Sequence, residues 1–411
     1  MLVAGCALVV GWGGRLYNLG FPPFRMWDEI YFPVFARDYL YGIPFFDLHP
    51  PLGKFIMAGS IAILGDTALG WRLMPALFGC ALVGLGAALG WYYFRDRVGA
   101  LLLATFIAVE TILIAYSRAG LLDGILIFFV LATMLASLWA ERKNQVIWPA
   151  VLLGLTISIK WVAFGVAVPV GYILWRKGMF RHFLAGLYVS AVIYVLIVLI
   201  GQVVNGTGGE EVFGDSNVWV KVWEWHLQAL NNFSNAVYTS DTSSWWSWPL
   251  MLRPILFYYY MNPAGEDLTV WAVGNPVLWW SSTLAVVIGL LELARRAILR
   301  KPLVDHPLVP ILLGYVVLLL PWVPSSRVPY LYNYLPSYAF ALLALVYWLC
   351  SLWRLRPWGP WAVVAFAACA VATALYFLPM LTGLPISYES LRQRVWLESW
   401  DRPQFNLQPP S

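Results

Sequence analysis

Runs of about twenty apolar residues recur from one end of this 411-residue chain to the other, and they restrict it to very few folds. Inside lipid, every backbone N–H and C=O must find a partner within the protein. A helix meets that demand alone. A barrel meets it with strands that alternate apolar and polar residues, a pattern these runs lack. The chain therefore reads as an all-α, polytopic membrane protein. Its charged fraction of 11% is less than half that of soluble domains, which carry about a quarter. The net charge of +5 forms no basic stripe, so nucleic acid is not an expected partner; the lipid bilayer is.

About eleven apolar stretches have helix length: 2–19, 71–94, 99–116, 121–140, 146–160, 161–175, 183–203, 271–294, 307–322, 330–353 and 359–380. The first lacks a basic leader and a cleavage site, so it is read as a retained span. Arg95 and Arg97, Arg142 and Lys143, Arg176 to Arg181, Arg295 to Lys301, and Arg354 with Arg356 fall in alternate loops. The positive-inside rule places those loops in the cytoplasm. Outside lie 20–70, 117–120, 204–270, 323–329 and the tail. The whole chain, 1–411, reads as one transmembrane domain with two long external loops. Loop 20–70 is expected to hold two amphipathic pieces. In one, Phe32, Phe35, Tyr39 and Leu40 share a face, with Arg37 and Asp38 off it. Residues 55–64 form the other, a helix too short to span. Loop 204–270 carries a Trp-rich segment, 219–233, that reads as an interfacial helix, in which His226 is a candidate to line a groove. Gly84, Gly86 and Gly90 lie inside a span and read as helix-packing glycines.

The first external loop opens on MWDEIYFPVFARDYLYGIPFFDLHPPLGK, residues 26–54. It crowds Asp28, Glu29, Arg37, Asp38, Asp47, His49 and Lys54 beside a membrane span. Ionisable groups at that density are costly unless they line a polar cavity or do chemistry. Two prolines stiffen the backbone that carries Asp47 and His49. The active site is placed here, with the adjacent pair Asp28 and Glu29 as its acids.

Six cations, Lys54, Arg72, Arg118, Lys160, Arg253 and Arg327, lie near the outer face or inside spans, where the positive-inside rule does not call for them. Their number against few outward acids predicts a convergent site for an anion, a lipid-linked phosphate at the membrane boundary. Arg offers phosphate a fork and Lys a point charge. Trp245, Trp246 and Trp248, just before Arg253, read either as an aromatic belt or as a platform for a sugar face or isoprenoid chain. The four cysteines sit in apolar stretches, and no metal-ligand spacing is visible.

In motif order these residues resemble the protein O-mannosyltransferase family. The resemblance begins at Asp28-Glu29 and runs through FFDLHPPLGK (45–54), GWRLMPALFG (70–79), SRAGLLDG (117–124) and SIKW (158–161). It continues through WWSWPLMLRP (245–254), GNPVLWW (274–280), RVPYLYNYLP (327–336) and the tail RVWLESW (394–400). It implies a GT-C membrane fold and an inverting glycosyltransferase. The implied donor is polyprenyl-phosphate mannose, and the implied acceptor a Ser or Thr hydroxyl of a protein. Loop 204–270 has no room for the soluble MIR domain of eukaryotic members, which implies a bacterial enzyme of the plasma membrane with its site facing outward. By the resemblance, Asp28 is the base and loop 20–70 catalytic. Arg72 and Lys160, with Trp161 beside it, hold phosphate, and Lys54 matches a phosphate lysine of the related aminoarabinose transferases. Loop 204–270 is the acceptor side. Family members often carry His where this chain has Asn333, which leaves the acceptor open.

The chemistry agrees. A phosphate leaves without a proton, so no second carboxylate is needed as acid. One base must take the hydroxyl proton, and cations must hold the charge that develops on phosphate. Glu29 is expected to orient Asp28 or pair with a cation. No cofactor is required; a divalent ion on Asp28, Glu29 and Asp47 stays open. A GT-C enzyme acting on a lipid or envelope glycan is the alternative. A transporter is disfavoured by the absence of internal repeats and by charges gathered toward one face.

Overall fold

The computed structural model describes residues 2–205, 217–231, 241–325 and 329–406. Its helices are α1 (Leu2–Leu16), α2 (Phe32–Tyr41), α3 (Leu52–Leu64), α4 (Ala68–Phe94), α5 (Arg97–Val109), α6 (Thr111–Ser117), α7 (Asp123–Trp139), α8 (Ile147–Ile157), α9 (Ala167–Arg176), α10 (Phe180–Val204), α11 (Val218–Asn231), α12 (Pro276–Ile298), α13 (Leu308–Leu319), α14 (Leu335–Trp353), α15 (Gly359–Thr382) and α16 (Tyr388–Arg392). Each of the eleven expected stretches contains a helix. By length and composition, however, five of the helices can cross a membrane, or six if α5 and α6 form one bent span.

The α5–α6 pair bends by 60° at Glu110. An acid there is tolerated because its bonds stitch the break to two neighbouring helices. Glu110 accepts from Asn275 N at 2.7 Å and from the Tyr338 hydroxyl at 2.5 Å. Asn275 Nδ2 donates to the Val109 and Ala370 carbonyls, while Asn275 Oδ1 caps the start of α12. Two of the three α4 glycines expected to pack, Gly84, Gly86 and Gly90, do so. A Cβ at Gly90 would lie 2.4 Å from the Gly99 carbonyl, and one at Gly86 would strike Ile107; Gly84 has open space around it. The small residues let α4 and α5 approach backbone to backbone. α14 runs through the middle of the core, whereas α10 keeps most of its apolar surface outward, as a lipid-facing helix does.

The basic loops gather at one end. Tyr93 donates to the Pro307 carbonyl, Tyr172 to that of Val304, and Arg176 pairs with Asp305. Lys177 donates to carbonyls at the end of α7, those of Ser137, Leu138 and Ala140. α4 runs from Arg72 to this end, and α7 runs to it from Asp123. The acidic turn of the first loop therefore sits at the opposite end.

Three expectations need correction. On α2 the buried face is Phe32, Ala36 and Tyr39, with Leu40 exposed and Asp38 buried. Asp38 tolerates burial because Arg37 donates two bonds to it. Loop 204–270 is not helix and coil alone. β1 (Ile255–Met261) and β2 (Glu266–Ala272) form an antiparallel hairpin, and β3 (Ile386–Ser387) adds to β2. Asn262 and Gly265 make its turn, with Gly265 in the left-handed region that glycine favours. The following span therefore starts at Pro276 rather than 271.

Candidate active site

A short 3-10 turn, Trp27–Ile30, carries both acids. Trp27 takes φ of 50°, a left-handed conformation that strains a bulky residue by about 1–3 kcal/mol. The strain is held in place by Glu29, which is completely buried. Its carboxylate receives Arg72 Nε and Nη2, both at 2.7 Å, the Gly120 amide at 2.7 Å and the Met26 amide at 3.0 Å. Asp28 is half-buried beside it. The two acids are thus unequal: Glu29 is locked into the scaffold, and Asp28 is carried by the turn that Glu29 anchors.

The cations do not converge as expected. Arg72 has five N–H donors. Nε and one Nη2 hydrogen go to Glu29, the other to Phe24 O at 3.0 Å, and Nη1 reaches Leu19 O and Pro22 O at 3.2 and 2.8 Å. None is left for a phosphate. Arg118 binds backbone carbonyls of Gly14, Tyr17, Asn18 and Leu381, tying the end of α1 to that of α15. Burial, together with the charge of Arg72, pulls its guanidinium down to about 10. Lys54 bonds Asp47 and the His49 carbonyl, and burial lowers its pKa against the opposing pull of Asp47. Asp28, Glu29 and Asp47, the acids left open for a divalent ion, form no ligand group among the described residues.

Lys160 is placed differently. It reaches both oxygens of Asp123, at 2.9 and 3.0 Å, and lies 4.9 Å from the Tyr332 ring. It also lines a recess of about 40 Å³ with Leu48, His49, Trp161, Tyr332 and Asn333. Trp161 and Trp322 are shared with an apolar groove of about 450 Å³, walled by Phe164, Val168, Val317 and Pro321. Trp322 is shared again with a cavity of about 750 Å³ that holds Trp245, Trp246, Arg253 and several serines. Trp248 is no platform: it is completely buried, donating to Ser243 and accepting from Trp279. The tail closes this side, with Trp400 donating to Met251 O and Arg402 pairing with Asp241. Arg327 lies outside the described residues.

An aromatic series joins Asp28 to the recess. Trp27 meets Tyr330 at 5.7 Å, Tyr330 stacks on Tyr332 at 5.6 Å, and Tyr332 faces Lys160. Two residues here escaped sequence reasoning. Asp123 sits in the quoted LLDG and is readable as an acid at a span start. Tyr116 is fully buried within electrostatic reach of Asp123, Asp28 and Asp241, and its hydroxyl has no hydrogen-bond partner among the described residues. Nothing in an apolar run marks that tyrosine.

Comparisons with known proteins identify the family and the fold. Residues 5–204 match the family model for dolichyl-phosphate-mannose-protein mannosyltransferase, and residues 218–400 that for the C-terminal four TMM region of protein-O-mannosyltransferase. A polyprenol-phosphate-mannose–protein mannosyltransferase of Mycobacterium tuberculosis is 26% identical over 431 residues, covering 86% of this chain and 81% of its own. Among solved structures, the S. cerevisiae protein O-mannosyltransferase Pmt1-Pmt2 complex bound to the sugar donor superposes with a TM-score of 0.86 at 18% identity, covering 98% of this chain and 93% of that one. Apo ArnT from Cupriavidus metallidurans gives 0.59 at 14% identity, with 93% and 76% covered. These likenesses show the GT-C fold. With the two family models together covering nearly its whole length, the chain belongs to the protein O-mannosyltransferase family.

Proposed function

We propose that the protein is an inverting glycosyltransferase. It moves mannose from a polyprenyl-phosphate carrier to Ser or Thr hydroxyls of proteins, at the outer face of the bacterial plasma membrane. The observation that carries this reading is the junction at Trp161, where an apolar groove meets a recess containing Lys160, at the end of the molecule that holds Asp28. An isoprenoid chain fits the groove, and its phosphate fits the recess. The basic loops at the opposite end support an outward site. Asp28 takes the proton of the acceptor hydroxyl. The freed oxygen attacks the anomeric carbon, and the bond from that carbon to phosphate oxygen breaks. Polyprenyl phosphate leaves with the electron pair, its charge offset by Lys160. The scheme calls on no cofactor. The cavity beside Trp245 and Trp246 gives an acceptor segment room to approach.

Purified protein given polyprenyl-phosphate mannose and a Thr-rich peptide tests the reading. Mannosyl peptide supports it. Transfer only to lipid or glycan overturns the acceptor, and no consumption of donor overturns the whole.

The phosphate position has its own test. Lys160→Met combined with Asp123→Asn removes a buried pair as a unit and avoids leaving one charge uncompensated. This variant is expected to fold and to bind polyprenyl phosphate about tenfold or more weakly. Unchanged binding would place the phosphate elsewhere. Tyr116→Phe removes a buried hydroxyl that has no partner among the described residues. Its stability is expected to hold or rise by about 1 kcal/mol. If the hydroxyl donates to the charged groups of the loaded site, kcat falls about tenfold or more. A wild-type kcat would remove Tyr116 from the site.

A further inference from the structure

α11 touches the rest of the protein through a small apolar cluster separate from the main core. Val222 and Trp225 pack on Val198, ringed by Phe46, Trp161, Tyr194 and Leu199. Polar bonds from Trp225 and His226 lead toward the site. Trp225 Nε1 donates to Asp47 O at 2.9 Å, and Asp47 is the partner of Lys54. Trp161 Nε1 donates to the Tyr194 hydroxyl at 2.9 Å, that hydroxyl lies 2.7 Å from His226 Nε2, and His226 Nδ1 lies 2.6 Å from Val222 O.

A carbonyl only accepts, so Nδ1 of His226 carries a hydrogen; in the neutral imidazole Nε2 then accepts. Tyr194 accepts from Trp161 and donates to His226. The imidazole also lies flat on the Trp161 ring, 6.0 Å between centroids and 11° between planes. Trp161 is thus held on its face by His226 and at its N–H by Tyr194. With Val162 and Trp322, it also forms a wall shared by the apolar groove and the Lys160 recess. The other face of α11 exposes Trp219, Trp223, Leu227 and Leu230, a helical stripe suited to the bilayer interface.

We propose that His226 is a positioning residue for the lipid-linked donor: through Tyr194 it fixes Trp161 at the passage from the groove to Lys160, and so α11 governs how the carrier's phosphate enters. This rests on the reading that the donor is a polyprenyl-phosphate sugar. The residue touches neither sugar nor phosphate, so its loss should affect donor affinity rather than the chemical step.

The test uses the full-length purified protein. His226→Ala and Tyr194→Phe are each expected to raise the donor KM about five- to tenfold, the effect of one hydrogen bond, with kcat within about twofold. Combined, they should cost no more than the larger single effect, since both break one chain. His226→Gln, whose amide oxygen can accept from Tyr194, should restore most of the affinity. A fall in kcat at unchanged KM, or effects that multiply, would overturn the proposal. Should His226→Ala fail to fold, Trp161→Phe carries the test: it keeps an aromatic ring but loses the N–H donor together with part of the ring surface, and should raise KM at least as much as Tyr194→Phe does. Binding of polyprenyl phosphate without sugar gives a second readout, expected to weaken in step with KM. Unaltered binding in all three variants overturns the proposal, even if wild-type protein never transfers mannose.

Discussion

Asp28→Asn is expected to lower mannosyl transfer by about 10²–10⁴-fold, the usual worth of a general base, while the protein folds and binds its carrier as before. The substitution keeps the size of the side chain and one acceptor oxygen, and removes the capacity to take a proton. Glu29 cannot stand in, although it is the next residue. Both its oxygens already accept Arg72, and each accepts a backbone amide as well, from Gly120 and Met26. Taking a proton would weaken four bonds inside a fully buried cluster. Asp28 sits half-buried on the same strained turn, within electrostatic reach of the Tyr116 hydroxyl. Single-turnover transfer with saturating donor gives the rate. Polyprenyl-phosphate binding and the unfolding midpoint serve as controls. A rate near wild type would assign the base elsewhere.

The membrane architecture was legible because lipid demands long apolar helices, and the chain shows them as runs. What hydropathy cannot show is a break. The stretch 99–116 reads as one span, yet Glu110 splits it, and its bonds to Asn275 and Tyr338 come from helices more than 160 residues away. The hairpin 255–272 was hidden for a related reason: its aromatic strands look like the edge of the apolar span that follows. At the site, the density of charge around Asp28 singles out the first external loop. The sequence reading has Glu29 orient Asp28 or pair with a cation; that the cation is Arg72, a residue 43 positions later, is visible only in the fold. The cations show the same limit. A count of six suggested convergence, whereas burial gives Arg72, Lys54, Lys160 and Arg118 each its own acceptors before any ligand arrives. Lys160 is distinguished by a cavity wall, and only the fold reveals that.

Arg72→Met is expected to destabilise the protein by about 3–5 kcal/mol, because it leaves Glu29 uncompensated in a completely buried site. Glu29→Gln should cost a similar amount by leaving the Arg72 charge facing neutral partners. Against a total stability of about 5–15 kcal/mol, either change removes a large share of folded material, seen as a lower unfolding midpoint and less monodisperse protein in detergent. The double variant Arg72→Met with Glu29→Gln buries no net charge and should recover much of that loss, a coupling that only directly interacting residues show. Activity should not recover with it. The carboxylate also accepts from Met26 N and Gly120 N, and so fixes the start of the turn on which Asp28 stands and the loop after α6. Without that anchor, the left-handed turn at Trp27 keeps only its ring packing, and Asp28 loses the geometry that a base requires. If Arg72 were instead a ligand for the carrier phosphate, the single variant would melt like wild type and lose only carrier affinity. Stability and binding measured on the same three variants therefore decide between an arginine that holds the catalytic turn and one that holds the substrate, and the five occupied donors favour the turn.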